Sequence, residues 1–333
     1  MQNEILSPAA KATPTTQPVT TTSMTSKAHR KAALWHAILV ILGATMLLPL
    51  AFMLTTALSR PGEALQATAS FTDLVVPQSW RWKNFAEVWE SIPFLRYYIN
   101  SLFVSLTLSA GQVFTSACAA YAFSRLQWPG RDKLFLAYLA TMMVPGSVTM
   151  LPNFIAMKVA PDLLAQIIPF LDWKSLRYLG LSPDAPMAGR LVGLDSYFAL
   201  IMPGRFSAYG TFLLRQFLLS IPKELEEAAE IDGCGHWRIF STVIIPLAKP
   251  GLATLAVFSF MGSWGSFLWP LVVTNQDGLR TLPLGLQAFQ GQYSTEWHLM
   301  MAAAILMLLP IVVVFLACQR YFVSGLTLGG VKG

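Results

Sequence analysis

The stretch Glu224-Leu-Glu-Glu-Ala-Ala-Glu-Ile-Asp-Gly-Cys-Gly-His-Trp-Arg-Ile-Phe-Ser-Thr-Val-Ile-Ile-Pro246 is charged and polar, yet it lies between two long apolar segments. Pro222 suits the first turn of a helix, where its missing N–H leaves no bond unmade. Glu224, Glu226 and Glu227 follow in that turn, at the positive end of the helix dipole. Ile221, Leu225, Ala228 and Ala229 recur at i, i+4, i+7 and i+8, which puts them on one apolar face. Gly233 permits the left-handed residue that ends a helix. Trp237–Thr242 starts a second short helix, and Pro246 stops it. The spacing predicts a helix–turn–helix over 220–246, lying parallel to a membrane. Two readings of it stand. Its Ala-Ala face docks into a groove on a partner, with Glu227 bonding the rim, or it is a surface helix packed only on its own bundle.

The chain around this loop is apolar. Of its 333 residues 54% are hydrophobic and 12% charged, and the mean hydropathy is +0.53. An ordinary soluble domain carries about 25% charged residues. A chain this apolar needs lipid around it, so it reads as a multi-spanning membrane protein. The net charge of +6 does not call for nucleic acid, because its distribution follows the membrane. Cys118, Cys234 and Cys318 lie far apart and show neither disulfide nor zinc spacing.

Residues 1–31, rich in Thr, Ala and Pro, read as a disordered cytoplasmic tail. Apolar windows then recur at about 32–59, 97–124, 134–157, 196–214, 250–276 and 297–319. Each is long enough to cross about 30 Å of hydrocarbon as a helix, the fourth only with Arg205 inside it. The first window is too long for the apolar core of a signal peptide and reads as an uncleaved span. Six spans place both termini on one side. That side carries 13 Lys and Arg in its loops and tails and the other carries nine, so the termini and the 220–246 loop are expected to be cytoplasmic. The segment Arg81–Arg96 mixes Trp82, Phe85, Val88, Trp89 and Ile92 with charges at helical spacing and is expected to lie on the outer interface. Ser101, Ser105 and Ser109, four apart, form a small-residue face that suits close helix packing.

Here the residues resemble a known family. Glu227-Ala228-Ala229, Gly233 and Val243-Ile244-Ile245-Pro246 match the loop signature of permease subunits of binding-protein-dependent ABC importers, with Val243 and Ile245 in place of the usual Ile and Leu. Asn100-Ser101-Leu102, Ala119–Arg125, Pro129-Gly130-Arg131, Met142–Pro145, Phe212–Phe217 and Phe267–Pro270 resemble carbohydrate permeases. The tail Gln319–Gly333 is similar to that of the second, maltose-type permease. The resemblance runs from about residue 33 to the end. It implies an all-α, type I importer permease with six transmembrane helices, its coupling helix between spans 4 and 5. It also implies pairing with a second, homologous permease. Glu227, Ala228, Ala229, Gly233 and Pro246 would dock on one of two copies of a cytoplasmic ATPase, and an extracytoplasmic solute-binding protein would deliver a sugar. Two departures bear on the transfer. Gly265-Ser266 stand where members often carry Asn and an acid, which removes a family sugar contact. The outer segment Lys158–Asp195 is longer than usual, with Asp172, Lys174, Arg177 and Asp184; it contacts the binding protein or is a solvated insertion.

Arg205 falls near the middle of the fourth span, behind Pro203-Gly204. A charge at that depth is costly and must face the bundle or a wet cavity. It is either a pathway group for sugar hydroxyls or an anionic head, or a structural Arg bonded to carbonyls of the neighbouring subunit. Phe260, Trp264 and Phe267 form an aromatic stripe on the fifth span, suited to core packing or to stacking on sugar rings. The chain lacks a phosphate-binding G-x-x-x-x-G-K-[ST] motif, a metal constellation and a nucleophile–base arrangement, so it reads as a transport subunit without cofactor, its energy supplied by a partner. Two rivals remain: an importer of an anionic solute such as a glycerol phosphate ester, and a stand-alone secondary carrier. The carrier needs coupling acids inside the spans, and no Asp or Glu lies in the six windows.

Overall fold

A computed structural model describes residues 26–63, 76–77, 79–167, 192–291 and 295–330. Among them there is no strand, only an isolated bridge between Gln290 and Thr295. The acids and bases singled out between 172 and 184, and most of the tail, lie outside the described residues.

The chain forms two units, Met1–Leu50 and Ala51–Gly333. The described part of the first is helical and carries bare apolar side chains such as Leu39, Val40 and Met46. Its helix, α1, runs Ser26–Leu58, so it starts six residues before the expected span, and Ser26–Lys31 are helix rather than tail.

In the second unit Lys83–Ser91 forms α2, which packs on the long last helix through buried Val88. The hub is α3, Phe94–Ser124. Its buried residues include the small Ser101, Ser105, Ser109, Gly111, Ser116, Ala117 and Ala120 between larger ones at either end. Small side chains at i and i+4 let neighbouring backbones come close, and α3 packs along α7 (Ala208–Leu219) and α11 (Lys249–Trp264). The last helix, α14 (Trp297–Gly330), packs on α11 in turn.

Three expected spans are not straight helices. The third is α4 (Arg131–Ala140) with a 3₁₀ turn, then α5 (Gly146–Ile167), bent by 100° at Val144-Pro145. A residue before proline is pushed out of the helical region, and Val144 is extended, at φ −81° and ψ 119°. The fourth is in pieces: α6 (Tyr197–Ile201), a 3₁₀ turn at Pro203–Arg205, extended Phe206, then α7 capped by Ser207, whose Oγ accepts from the Gly210 N–H at 3.0 Å. The fifth ends at Gly265, and Leu268–Val273 (α12) follows after a break. Three helices are long and apolar enough to span by themselves, and counting each bent pair as one span raises that to five.

Between α7 and α11 lie α8 (Glu224–Ile231), α9 (His236–Ile239), a π-helical segment Phe240–Ile244 and α10 (Ile245–Leu247). The first helix starts two residues after Pro222. Pro246 does not stop the second: the chain stays helical to Leu247 and turns by 78° at Ala248. The wide π turns just before Pro246 make room for its ring and its missing N–H. Further along, Leu282–Gly285 forms α13.

Gly210 marks the tightest approach of α7. A Cβ there would lie 2.6 Å from Ser116 Oγ on α3 and 3.1 Å from Leu255 on α11. Replacing Gly210 with Ile is expected to cost about 1–3 kcal/mol by overpacking, read as a lower midpoint of thermal unfolding in detergent. The same change at Gly43, where a Cβ meets nothing within 4 Å, is expected to leave the midpoint in place.

Candidate functional site

The residues singled out from the sequence fall in three places. Glu227, Ala228, Ala229 and Gly233 sit on or just after α8, with Pro246 exposed on α10. Gly233 has φ +81° and closes the helix, with the Cys234 N–H donating to the Ala229 carbonyl at 3.0 Å. The apolar face expected for this helix divides. Ile221 and Ala229 turn towards a core cluster with Tyr121, Ile239 and Phe240. Leu225, Ala228 and Glu227 point outward, because an eight-residue helix resting on the bundle covers only one narrow stripe. Beyond them Ile231 is 87% exposed and Trp237 66%. These are large apolar groups bare on a polar loop.

One contact unmarked in the sequence ties this loop to the bundle. Arg125 caps α3, and its side chain is only 3% exposed. Its guanidinium donates to the carbonyls of Leu218 and, at 2.8 Å, of Ile221, where α7 ends and its last carbonyls lack helical partners. The Nε also meets Glu226 Oε1 of α8 at 2.9 Å, close enough for an ion pair although the angle is poor for a hydrogen bond. Arg215 returns the clasp, donating to the Phe123 carbonyl at 3.2 Å with its guanidinium over Phe135. Burial raises the pKa of Glu226, and the charge of Arg125 pulls it partly back.

The second place is a cavity of about 870 Å³ between α3, α5, α7, α11 and the α12 region, within the usual size of a ligand pocket. Phe267 is on its wall together with Gly265, Ser266, Phe258 and Trp269. Across it, Ser259 Oγ of α11 donates to Gln112 Oε1 of α3. The other two aromatics of the stripe are behind the wall. Phe260 and Trp264 stack at 5.6 Å in the core, and Trp264 donates its indole N–H to the Met307 carbonyl at 3.0 Å. Successive turns of α11 face different neighbours once the helix ends at Gly265, so the stripe does not stay on one surface.

Arg205 is the third place. Its guanidinium lies against Gly111 of α3, where a Cβ would come within 2.5 Å of Nε. One NH contacts Met202 Sδ at 3.6 Å, and its carbonyl accepts from Thr115 Oγ1 at 2.7 Å. It is partly buried and is not among the cavity's lining residues.

The pattern that marked packing, Ser101 and Ser105 four apart on α3, also lines the cavity. Arg125 follows directly on a charge-free window, and its partners are remote in sequence, so nothing local distinguished it from any interfacial cation.

Replacing Arg125 with Met removes the nearest counter-charge of the largely buried Glu226, and breaking such a pair costs up to about 3–5 kcal/mol. The folded-state pKa of Glu226 then moves further above its unfolded value. A raised carboxylate destabilises the fold as the pH rises through that pKa. The variant is therefore expected to melt lower than the parent at neutral pH and to regain part of the loss on acidification towards the ordinary carboxylate range, measured by thermal unfolding across pH.

Three comparisons bear on this geometry. Residues 113–328 match the family model described as "binding-protein-dependent transport system inner membrane component". The arabinooligosaccharides transport system permease AraQ of Halalkalibacterium halodurans is 32% identical over 71% of this chain and 74% of its own length. The sn-glycerol-3-phosphate transport system permease UgpE of Pectobacterium atrosepticum is 31% identical over 87% and 94%. Among solved structures, a bacterial ABC transporter involved in import of the acidic polysaccharide alginate superposes with a TM-score of 0.68, at 22% identity, over 89% of this chain and 98% of that one, a likeness of fold. A second, of the alginate transporter in complex with an alginate pentasaccharide-bound periplasmic protein, gives 0.56. With a match over well over half its length and curated relatives above 30% identity, the chain belongs to the family of inner-membrane permease components of binding-protein-dependent ABC transport systems.

Proposed function

We propose that this chain is one of two permease subunits in an ATP-driven importer that moves a sugar or oligosaccharide across a bacterial inner membrane. The observation that carries the assembly is the loop 220–246. It leaves Glu227, Ala228, Ile231 and Trp237 exposed while Arg125 and Ala229 bind it to the bundle. Exposed apolar groups on a loop outside the spans call for a protein partner. The partner is a cytoplasmic ATPase, present in two copies, one for each permease. A solute-binding protein delivers the substrate from outside, in line with the periplasmic protein bound to the alginate transporter. Two of the relatives are permeases for arabino-oligosaccharides, which supports the substrate class.

The helices α1, α3 and α14, the bent α4–α5 pair, the α6–α7 stretch, and α11 with α12 make six crossings, with both termini cytoplasmic. ATP closes the ATPase pair, and the loop carries that motion through Arg125 into α3. The cavity wall on α3 begins 13 residues from Arg125, about 20 Å along a helix, so a tilt at one end reorients the other. Alternating access is then a choice between two packings of one bundle, shifted by nucleotide.

The glycerol-phosphate relatives favour a second reading, an anionic solute. Arg205 would be its anchor, and that residue is not on the cavity wall.

Glu227→Lys is expected to abolish ATP-dependent uptake in reconstituted vesicles and recovery of the ATPase in a pulldown, with membrane insertion unchanged; normal uptake would remove the docking role. Gly233 separates strain from sterics, since a Cβ there meets nothing within 4 Å and only its φ is restrictive. Val at that φ costs about 1–3 kcal/mol, whereas Asn tolerates it. Uptake is expected to fall sharply in Gly233→Val and to persist in Gly233→Asn.

A further inference from the structure

Two hydroxyls on the cavity wall are buried and have no hydrogen-bond partner. Ser105 Oγ, on α3, belongs to a residue 1% exposed, and Thr281 Oγ1 to one 4% exposed. Neither is spare by local necessity. A helical serine commonly bonds the carbonyl one turn back, and Ser105 does not. Thr281 occupies the N-cap of α13, where a threonine oxygen ordinarily accepts from the first-turn N–H groups, yet it makes no cap bond. The cap comes from elsewhere: Ser101, one turn from Ser105 on α3, accepts the Leu282 N–H at 2.6 Å. That bond anchors α13 to α3, sets Thr281 on the same wall as Ser101 and Ser105, and leaves its hydroxyl without a cap partner.

The rest of the wall is consistent with this pair. Ser263, Ser266, Asn153 and Tyr209 add neutral polar groups, and Phe267 and Trp269 add aromatic surface. No Asp, Glu, Lys, Arg or His lines the cavity among the described residues. A buried hydroxyl without a partner is costly and gains from a ligand that donates or accepts. A phosphate or carboxylate entering the same space would leave water without meeting a counter-charge, which is far more costly than moving a neutral hydroxyl.

We infer that this cavity is a subsite for an uncharged, polyhydroxylated ring, held at its hydroxyls by Ser105 and Thr281, and that it discriminates against anionic solutes. The inference rests on the importer reading above. It separates this chain's substrate from the sn-glycerol 3-phosphate and the acidic alginate carried by transporters to which it is similar.

The test uses the full complex, with its second permease, ATPases and solute-binding protein, in ATP-loaded vesicles. Three probes are compared: a neutral arabino-oligosaccharide, sn-glycerol 3-phosphate and an alginate oligosaccharide. The neutral probe is expected to accumulate at least about tenfold faster than either anion, and Ser105→Ala with Thr281→Val is expected to slow it by about tenfold, the size of one or two lost hydrogen bonds. Thr281→Ser, which keeps the hydroxyl, is expected to transport normally. So is Ser116→Ala, which removes an equally buried and unpaired hydroxyl that is not on the wall. An anion carried as fast as the neutral probe, or a double variant that transports like the parent, overturns the inference and leaves the importer intact. A complex that hydrolyses ATP but accumulates none of the three probes overturns the sugar-importer reading, and the inference with it.

Discussion

The close packing of α3 against α7 and α11 is the constraint on which the other features depend. It requires small side chains along most of one helix face, and Ser101 to Ala120 supply them. Because the helix is 31 residues long, the same rod reaches both ends of the bundle. At one end Arg96 and Asn100 bond the Gly278 carbonyl, and Ser101 caps α13. At the other, Arg125 gathers the end of α7 and the start of the 220–246 loop. The cavity, the loop around Gly278 and the 220–246 loop are thus all attached to one helix.

Charge is distributed in keeping with that arrangement. The ionised groups that matter are at the ends of α3, where water or helix termini help to solvate them. Arg125 is the exception in depth, and it is surrounded by carbonyls and one carboxylate. The raised pKa of Glu226 shows that burial there outweighs the attraction between the two. The middle of the bundle has hydroxyls and amides instead of charges. Arg205 is partly buried, and Gly111 gives its guanidinium a place against α3.

The bent helices are equally a matter of local chemistry. Val144-Pro145 and Pro203-Gly204 break two spans, and Gly265 ends a third, and all three breaks adjoin the cavity, whose wall includes Gly146, Pro203, Gly204 and Gly265. Irregular backbone at membrane depth is tolerated where it lines a cavity rather than lipid. The prolines and glycines that shorten the helices are also the residues that open space between them.

Composition, charge-free windows and the 224–246 signature were sufficient, read as sequence, for an all-helical membrane permease with a charged loop between its late spans. These are properties of consecutive residues, and hydrophobicity and helix punctuation act locally. The helix-ending turn at Gly233 was legible for the same reason. The 100° turn at Pro145 and the helical passage through Pro246 were not, because a proline's effect depends on whether neighbouring turns can widen or must bend. Still less legible was the division of roles within one stripe. Phe260, Trp264 and Phe267 share a helix surface on paper, yet two are core and one faces the cavity. Ser101 and Ser105 look like packing residues and are also wall. Arg125 and Glu226, a hundred residues apart, meet only because α3 and α7 end at the same level. Which face of a helix meets a neighbour, and which meets a cavity, is set by contacts between distant segments, and only the tertiary structure supplies those.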